Sequence, residues 1–66
     1  MPRYEVQVPC NRPVKVGRKM RDREIMITID LNAADPEQAK YFAGRVPQIR
    51  TDPTCNIDKA IIIERG

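Results

Sequence analysis

The 66-residue sequence contains no histidine and no tryptophan, and it has only one phenylalanine and three glycines. Without histidine the chain lacks the side chain that most often acts as a general base near neutral pH. The glycines stand far apart, at positions 17, 44 and 66, so no phosphate-cradling glycine motif is present. Asp30 and Asp35 are better explained as a polar strand residue and a helix cap than as a catalytic carboxylate pair. We therefore expect a protein that is not an enzyme and that uses no cofactor.

Cysteine is also scarce, with Cys10 and Cys55 far apart in the chain. Two distant cysteines without histidine make neither a zinc site nor an activated Cys–His pair, so no metal site is expected. Residues 1–8 lack the apolar run of a signal peptide, and no apolar stretch is long enough to span a membrane. The sequence therefore predicts a cytoplasmic protein with reduced thiols and no membrane contact. A Cys10–Cys55 disulfide is the alternative if the protein is exported.

The stretch from Glu24 to Gly44 predicts a strand followed by a helix. Apolar residues alternate along the strand, at Ile25, Ile27, Ile29 and Leu31. A period of two predicts one buried face. Asp35 can cap the helix, Pro36 suits its first position, and Gln38 completes a variant of the capping box. The apolar stripe of the helix consists of Ala39, Phe42, Ala43 and Val46. We expect a short helix that ends near Gly44 and lays Phe42 on the sheet.

Shorter runs of β-branched or alternating residues predict the remaining strands. The predicted segments are a strand at 3–8, a turn at 9–13, a strand at 14–16, a polar connection at 17–23, a short edge strand at 47–51, a turn at 52–56 and a strand at 57–64. The last strand is expected to lie inside the sheet or against a partner. The economical arrangement is a single α+β domain over residues 1–66. It would be an antiparallel sheet of four to five strands with one short helix packed on one face.

Charge is concentrated in one part of the chain, although the net charge is only +3. Residues 12–23 include six basic residues and one acidic residue. Such a cluster can hold phosphates or an acidic protein surface, and the alternative is a solvated hairpin tip. Met20 either anchors a protein partner or folds back onto the loop, and Tyr41 either joins an interface or covers the sheet. The residues predicted to bind a partner are Arg12, Lys15, Arg18, Lys19, Met20, Arg21, Arg23 and Tyr41.

The segment from Ile27 to Ala43, Ile-Thr-Ile-Asp-Leu-Asn-Ala-Ala-Asp-Pro-Glu-Gln-Ala-Lys-Tyr-Phe-Ala, resembles a unit of many small phage-encoded proteins. That unit is a strand, a short acidic cap and a helix with alanine and lysine, and some anti-CRISPR proteins contain it. The resemblance covers about a quarter of the chain, and no residue of that family is assigned to a position. It implies a phage or mobile-element inhibitor in the cytoplasm of a bacterial host.

Three functions follow as expectations. The first is a non-catalytic, anti-CRISPR-like inhibitor that binds a host protein or ribonucleoprotein complex and occludes it, with the basic cluster giving charge complementarity. The second is a small basic protein that binds nucleic acid by contacting phosphates through residues 12–23. The third is a structural subunit that forms a homodimer or larger homo-oligomer through a sheet edge near Ile62.

Overall fold

We describe the protein from a computed structural model, which gives the placement of residues 2–66. In chain order its elements are β1 (Arg3–Val16), β2 (Lys19–Asn32), α1 (Pro36–Arg45), α2 (Pro47–Arg50), a 3-10 turn (Ile57–Lys59) and β3 (Ile61–Glu64). Across the described residues these strands form one antiparallel sheet of three strands, in the order β2-β1-β3. The small α+β shape agrees with the sequence, but the predicted sheet of four to five strands is wrong.

The strand count differs because β1 and β2 form one long hairpin. Their register is unbroken from Arg3 opposite Asn32 to Val16 opposite Lys19. The predicted turn at 9–13 therefore lies inside β1, and most of the predicted connection at 17–23 lies inside β2. Two predicted strands at the start of the chain are thus a single strand of 14 residues.

Two prolines are accommodated in β1 because of the side of the strand on which they fall. Residues of an antiparallel strand direct their N–H and C=O groups alternately to the left and right neighbour. The Asn56 N–H donates to the Pro9 carbonyl at 2.9 Å, and the Asn11 N–H donates to the Thr54 carbonyl at 3.1 Å. The odd-numbered residues of this part of β1 therefore face away from β2. A proline at position 9 or 13 costs no hydrogen bond between β1 and β2.

The predicted start of helix α1 is confirmed. The Gln38 N–H donates to the Asp35 carboxylate at 2.7 Å, and the Ala34 N–H donates to the Gln38 side-chain carbonyl at 2.6 Å. Pro36 is the first helical residue. The helix ends at Arg45 without a left-handed glycine, because Gly44 does not have a positive φ.

Among residues 2–66 the structure contains no helix with the length and hydrophobicity of a membrane span.

The face that α1 packs against the sheet is made of alanines rather than phenylalanine. Ala39 and Ala43 are fully buried, whereas Phe42 remains 40% exposed. The prediction that Phe42 packs on the sheet is therefore wrong. Small side chains let the helix lie close to the strands. The buried stripe of α1 is therefore centred on Ala39 and Ala43 and not on Phe42. The buried core consists of Tyr4, Val6, Val8, Cys10, Ile29, Ala33, Ala39, Ala43 and Ile49.

The C-terminal third differs most from the prediction. The segment predicted as an edge strand at 47–51 is the short helix α2, which buries Ile49. The strand predicted at 57–64, inside the sheet or against a partner, is a 3-10 turn followed by the four-residue strand β3. β3 lies at the edge beside β1, so the interior position is wrong. Ile62 is half-buried and packs against the core, and the other side of β3 is an outer edge of the sheet. The homo-oligomer contact expected near Ile62 therefore stays a prediction.

Cys10 and Cys55 form a disulfide across 45 positions of sequence. The expectation of reduced thiols is therefore wrong, and the disulfide that was the alternative is present. Cys10 is the last buried residue of β1, and Cys55 lies in the segment between α2 and the 3-10 turn. The disulfide links that segment covalently to the sheet. A β-bridge between the same two residues covers part of the edge of β1 that β3 does not reach.

Candidate polyanion-binding arm

Residues 11–24, called the arm below, are the part of the hairpin that extends past the packed core. Cys10 is fully buried, whereas every residue of the arm is exposed or half-buried. The molecule measures 48 × 20 × 15 Å, and a 14-residue strand at about 3.3 Å per residue accounts for its length. The arm is therefore a two-stranded ribbon that is exposed on both faces.

A two-residue turn at Gly17 and Arg18 closes the arm. Gly17 has a φ of +64°, a conformation that side chains other than glycine's rarely adopt. A glycine with positive φ at the first central position is typical of a type II′ turn, whose twist matches that of the flanking strands. The turn places Arg18 at the tip of the molecule.

The unbroken register sorts the arm's side chains onto two faces, because successive residues of a strand point to opposite sides. The face that continues the buried side of the hairpin carries Lys19, Arg21 and Arg23 from β2, opposite Val16, Val14 and Arg12 from β1. We call Lys19, Arg21 and Arg23 the basic face. The other face carries Lys15 and Met20 together with Asn11, Pro13, Asp22 and Glu24. One side of the arm is therefore strongly positive, and the other is close to neutral.

No acidic side chain within residues 2–66 forms a salt bridge with the cations of the basic face. The salt bridges found among residues 2–66 join Arg12 to Asp52, Lys40 to Asp58 and Arg65 to Glu5, and none involves the basic face. All three of its side chains are exposed. They follow one another along one side of a strand, about 6.6 Å apart. The result is a row of uncompensated positive charge that an anion can approach from solvent.

Arg12 differs from the other predicted binding residues because it forms a salt bridge within the protein. Its Nε donates to the Asp52 carboxylate at 2.8 Å, where the arm meets the core. Asp52 also accepts hydrogen bonds from the Thr54 N–H at 2.9 Å and from the Thr54 hydroxyl at 2.6 Å. These two bonds, together with Arg12, hold the pKa of Asp52 below its usual value. Arg12 is thus a link between arm and core rather than part of the basic face.

Replacing Asp52 with asparagine is expected to destabilise the protein at neutral pH but not in strong acid. Because the folded state lowers the pKa of Asp52, its carboxylate stabilises the fold above the unfolded pKa of about 3.9, and this contribution is lost as pH falls through the lower folded pKa. Urea unfolding of both proteins at about pH 7 and about pH 2 measures the difference. Asp58→Asn is the control, since its exposed salt bridge contributes little. A difference for Asp52→Asn that stays constant down to about pH 2 would contradict this account.

The other predicted binding residues lie in three separate places, which are the tip of the arm with Arg18, the neutral face and α1. Lys15 and Met20 are opposite each other on the neutral face, and Met20 is 64% exposed, so it does not fold back onto the arm. Tyr41 lies on α1 and is 58% exposed, so it does not cover the sheet. Its hydroxyl accepts a hydrogen bond from Arg45 at 2.7 Å, and its ring contacts Phe42. The structure therefore brings together only part of the predicted set.

Cys10, Asp52 and Cys55 bring three potential metal-ligand atoms within 4.8 Å of one another. The two sulfurs are bonded to each other, however, and metals bind the thiolate form of cysteine. The Asp52 carboxylate is already engaged by Arg12 and Thr54. With the disulfide formed, this cluster has a structural role, because it connects the base of the arm to the segment that contains Asp52 and Cys55.

Two features of the site were not recognised in the sequence. Val14 and Val16 lie opposite Arg21 and Lys19, so small apolar side chains flank the basic face on β1. The spacing of Lys19, Arg21 and Arg23 at every second position is the signal that could have revealed one charged face of a strand. No protein-family model, curated protein or solved structure matches this chain.

Proposed function

We propose that this protein binds nucleic acid through the basic face of the arm, by contacts to phosphates and without base-sequence preference. The observation that supports this proposal is the row formed by Lys19, Arg21 and Arg23, which is exposed and forms no salt bridge in the described part of the chain. Arg18, in the turn at the tip of the arm, adds a fourth positive charge that can contact phosphate. Neutralised phosphates release counterions, which is the main source of affinity in sequence-independent binding.

The shape of the arm favours a duplex over a single strand. A two-stranded β-ribbon fits the major groove of B-DNA, which is about 12 Å wide. The arm contains no aromatic residue, so it offers no surface on which unpaired bases could stack. The exposed aromatic rings, Tyr41 and Phe42, belong to α1 instead.

A salt titration of the wild-type protein tests this proposal. Fluorescence anisotropy would follow its binding to a labelled mixed-sequence duplex and to a single strand of the same length. We expect the logarithm of the duplex binding constant to fall linearly with the logarithm of salt concentration, with a slope of about −3 to −4 for three or four phosphate contacts. A second duplex of unrelated sequence should bind equally well. Absence of duplex binding at about 20 mM salt, or a slope near zero, would contradict the proposal.

Occlusion of a host protein or ribonucleoprotein complex, as in a phage inhibitor acting in a bacterial cytoplasm, is the second candidate. It is favoured by Met20, which is 64% exposed on the neutral face, where phosphate contacts would not need an apolar group. Exposed methionines are common on surfaces that bind protein partners. A pull-down from a bacterial lysate treated with nuclease separates the two candidates. Protein bands that survive nuclease and are lost with Met20→Ser would favour occlusion, whereas bands that disappear with nuclease would favour nucleic acid.

A further inference from the structure

We propose that two copies of this chain pair through the free edge of β2, at residues 24–32, and form a continuous six-stranded antiparallel sheet. β2 is an outer strand of the sheet and is 14 residues long. The second side of β1 is paired with β3 and residues 54–56, and the other outer strand, β3, has only four residues. The edge of β2 is the longest run of strand without a neighbour among residues 2–66.

The hydrogen-bonding groups available at this edge can be assigned. Since the odd-numbered residues of β1 face β3 and residues 54–56, its even-numbered residues bond to β2. Their partners in β2 have odd numbers, as in Val8 opposite Ile27 and Val6 opposite Ile29. The main-chain N–H and C=O groups of Met26, Thr28 and Asp30 therefore point outward from the sheet. Another strand can pair with them without disturbing the hairpin.

This edge lacks the features that normally prevent strands from associating. Natural edge strands are protected by proline, lysine, bulges or short length. Residues 25–31, Ile-Met-Ile-Thr-Ile-Asp-Leu, contain no proline, glycine or basic residue and only one charge, and the register shows no bulge. The arm portion of the same strand is different, because Lys19, Arg21, Asp22 and Arg23 interrupt its edge with charge. Association is therefore confined to the core portion of β2.

Apolar side chains also remain partly uncovered along this edge. Ile25, Ile27 and Leu31 pack against the core but are only half-buried. They share the face of β2 that lies under α1, together with Ile29. A second β2 strand placed antiparallel would bring Ile25 beside Leu31 of the second copy and Ile27 beside its Ile29. Cross-strand apolar pairs of this kind stabilise sheets, and the pairing would extend both cores.

Charge and the length of edge used together select the register, and the self-complementary edge favours a second copy as the occupant. With the twofold axis at Thr28, residues 24–32 of both copies pair, and Glu24 lies opposite Asn32 while Met26 lies opposite Asp30. A shift of the axis to residue 27 would place Glu24 opposite Asp30, and an axis at residue 30 would place Asp30 opposite itself. A pairing centred on the arm would oppose arginine to arginine. The register at Thr28 uses the whole edge and opposes no like charges.

Analytical ultracentrifugation of wild type, Thr28→Pro and Met20→Pro tests this pairing. Proline at position 28 removes an outward N–H, so both central hydrogen bonds of the dimer are lost while the bonds to β1 remain. Met20 lies on the same edge with the same orientation, but outside the pairing, and serves as the matched control. We expect a concentration-dependent dimer for wild type and Met20→Pro, and a dissociation constant about 10- to 100-fold higher for Thr28→Pro.

Three results would overturn the proposal: a wild-type monomer up to about 1 mM, a dimer that Thr28→Pro does not weaken, or association without a defined stoichiometry. Amide hydrogen exchange of the wild-type protein gives a second test that needs no variant. The N–H groups of Ile27 and Ile29 should be protected at every concentration, because they bond to β1. Those of Met26, Thr28 and Asp30 should become protected only as concentration rises. Equal and rapid exchange of these three at high concentration would also contradict the pairing.

Discussion

Replacing Cys10 and Cys55 together with alanine is expected to lower the free energy of unfolding by about 4 kcal/mol. The disulfide closes a loop of 45 positions, and the entropy that such a crosslink removes from the unfolded chain corresponds to about that amount. A domain of this size has a total stability of only about 3–10 kcal/mol. The same bond also fastens the segment around Cys55 to the last buried position of β1. The double variant should therefore lose a large part of its total stability.

Thermal unfolding followed by circular dichroism measures this effect. A loss of about 4 kcal/mol corresponds to a melting temperature lowered by roughly 20 °C in so small a domain. Wild-type protein treated with a reducing agent should melt like the double variant, which controls for the loss of the two sulfur atoms themselves. A double variant that melts within about 3 °C of the oxidised wild type would show that the crosslink is not the main fastening of the C-terminal segment.

The second large effect is expected for the triple variant Lys19→Gln, Arg21→Gln, Arg23→Gln. Each phosphate contact contributes about 0.9 to the salt dependence of duplex binding, so loss of three contacts should reduce the slope by about 3. At about 50 mM salt the affinity for a duplex should fall at least about 10²-fold. The weakening should be the same for duplexes of different sequence, because contacts to phosphate carry no base information.

A matched triple variant separates the basic face from net charge. Lys40→Gln, Arg45→Gln and Arg50→Gln remove the same number of positive charges from α1 and α2, away from the arm. These residues are on the surface, so both triple variants should remain folded. The control should keep a slope within about 1 of the wild type. Equal losses in the two variants would mean that overall charge, and not the arm, determines binding.

Local chemistry allowed the start of α1 to be predicted from the sequence. Asp35 and Gln38 interact with neighbours within four residues, so their pattern is sufficient to define the cap. The strands predicted at 3–8, at 14–16 and from Glu24 to Leu31 lie within β1 and β2, but the continuity of β1 could not be predicted in the same way, because Pro9 and Pro13 normally indicate turns. Their compatibility with β1 depends on which side of the strand faces β2, and that is fixed by pairing with residues far along the chain.

Packing and long-range bonds explain the remaining differences. A helical stripe that includes Ala39, Phe42 and Ala43 does not specify which of them lies at its centre, and close packing of α1 placed the alanines inward. The pairing of Cys10 with Cys55 depends on the path of the C-terminal segment beside β1. The charge of the arm is evident in the sequence, but its division into a basic and a neutral face requires the register of the hairpin.

Nuclear magnetic resonance of the arginine Nε–H groups tests the central claim most directly, because each arginine gives its own signal during titration with a duplex. Arg21 and Arg23 lie on the basic face, whereas Arg12 is bound to Asp52 and Arg45 lies on α1. We expect the signals of Arg21 and Arg23 to shift and broaden as duplex is added, while those of Arg12 and Arg45 stay in place. Shifts at Arg45 with unchanged signals for Arg21 and Arg23 would contradict binding through the arm.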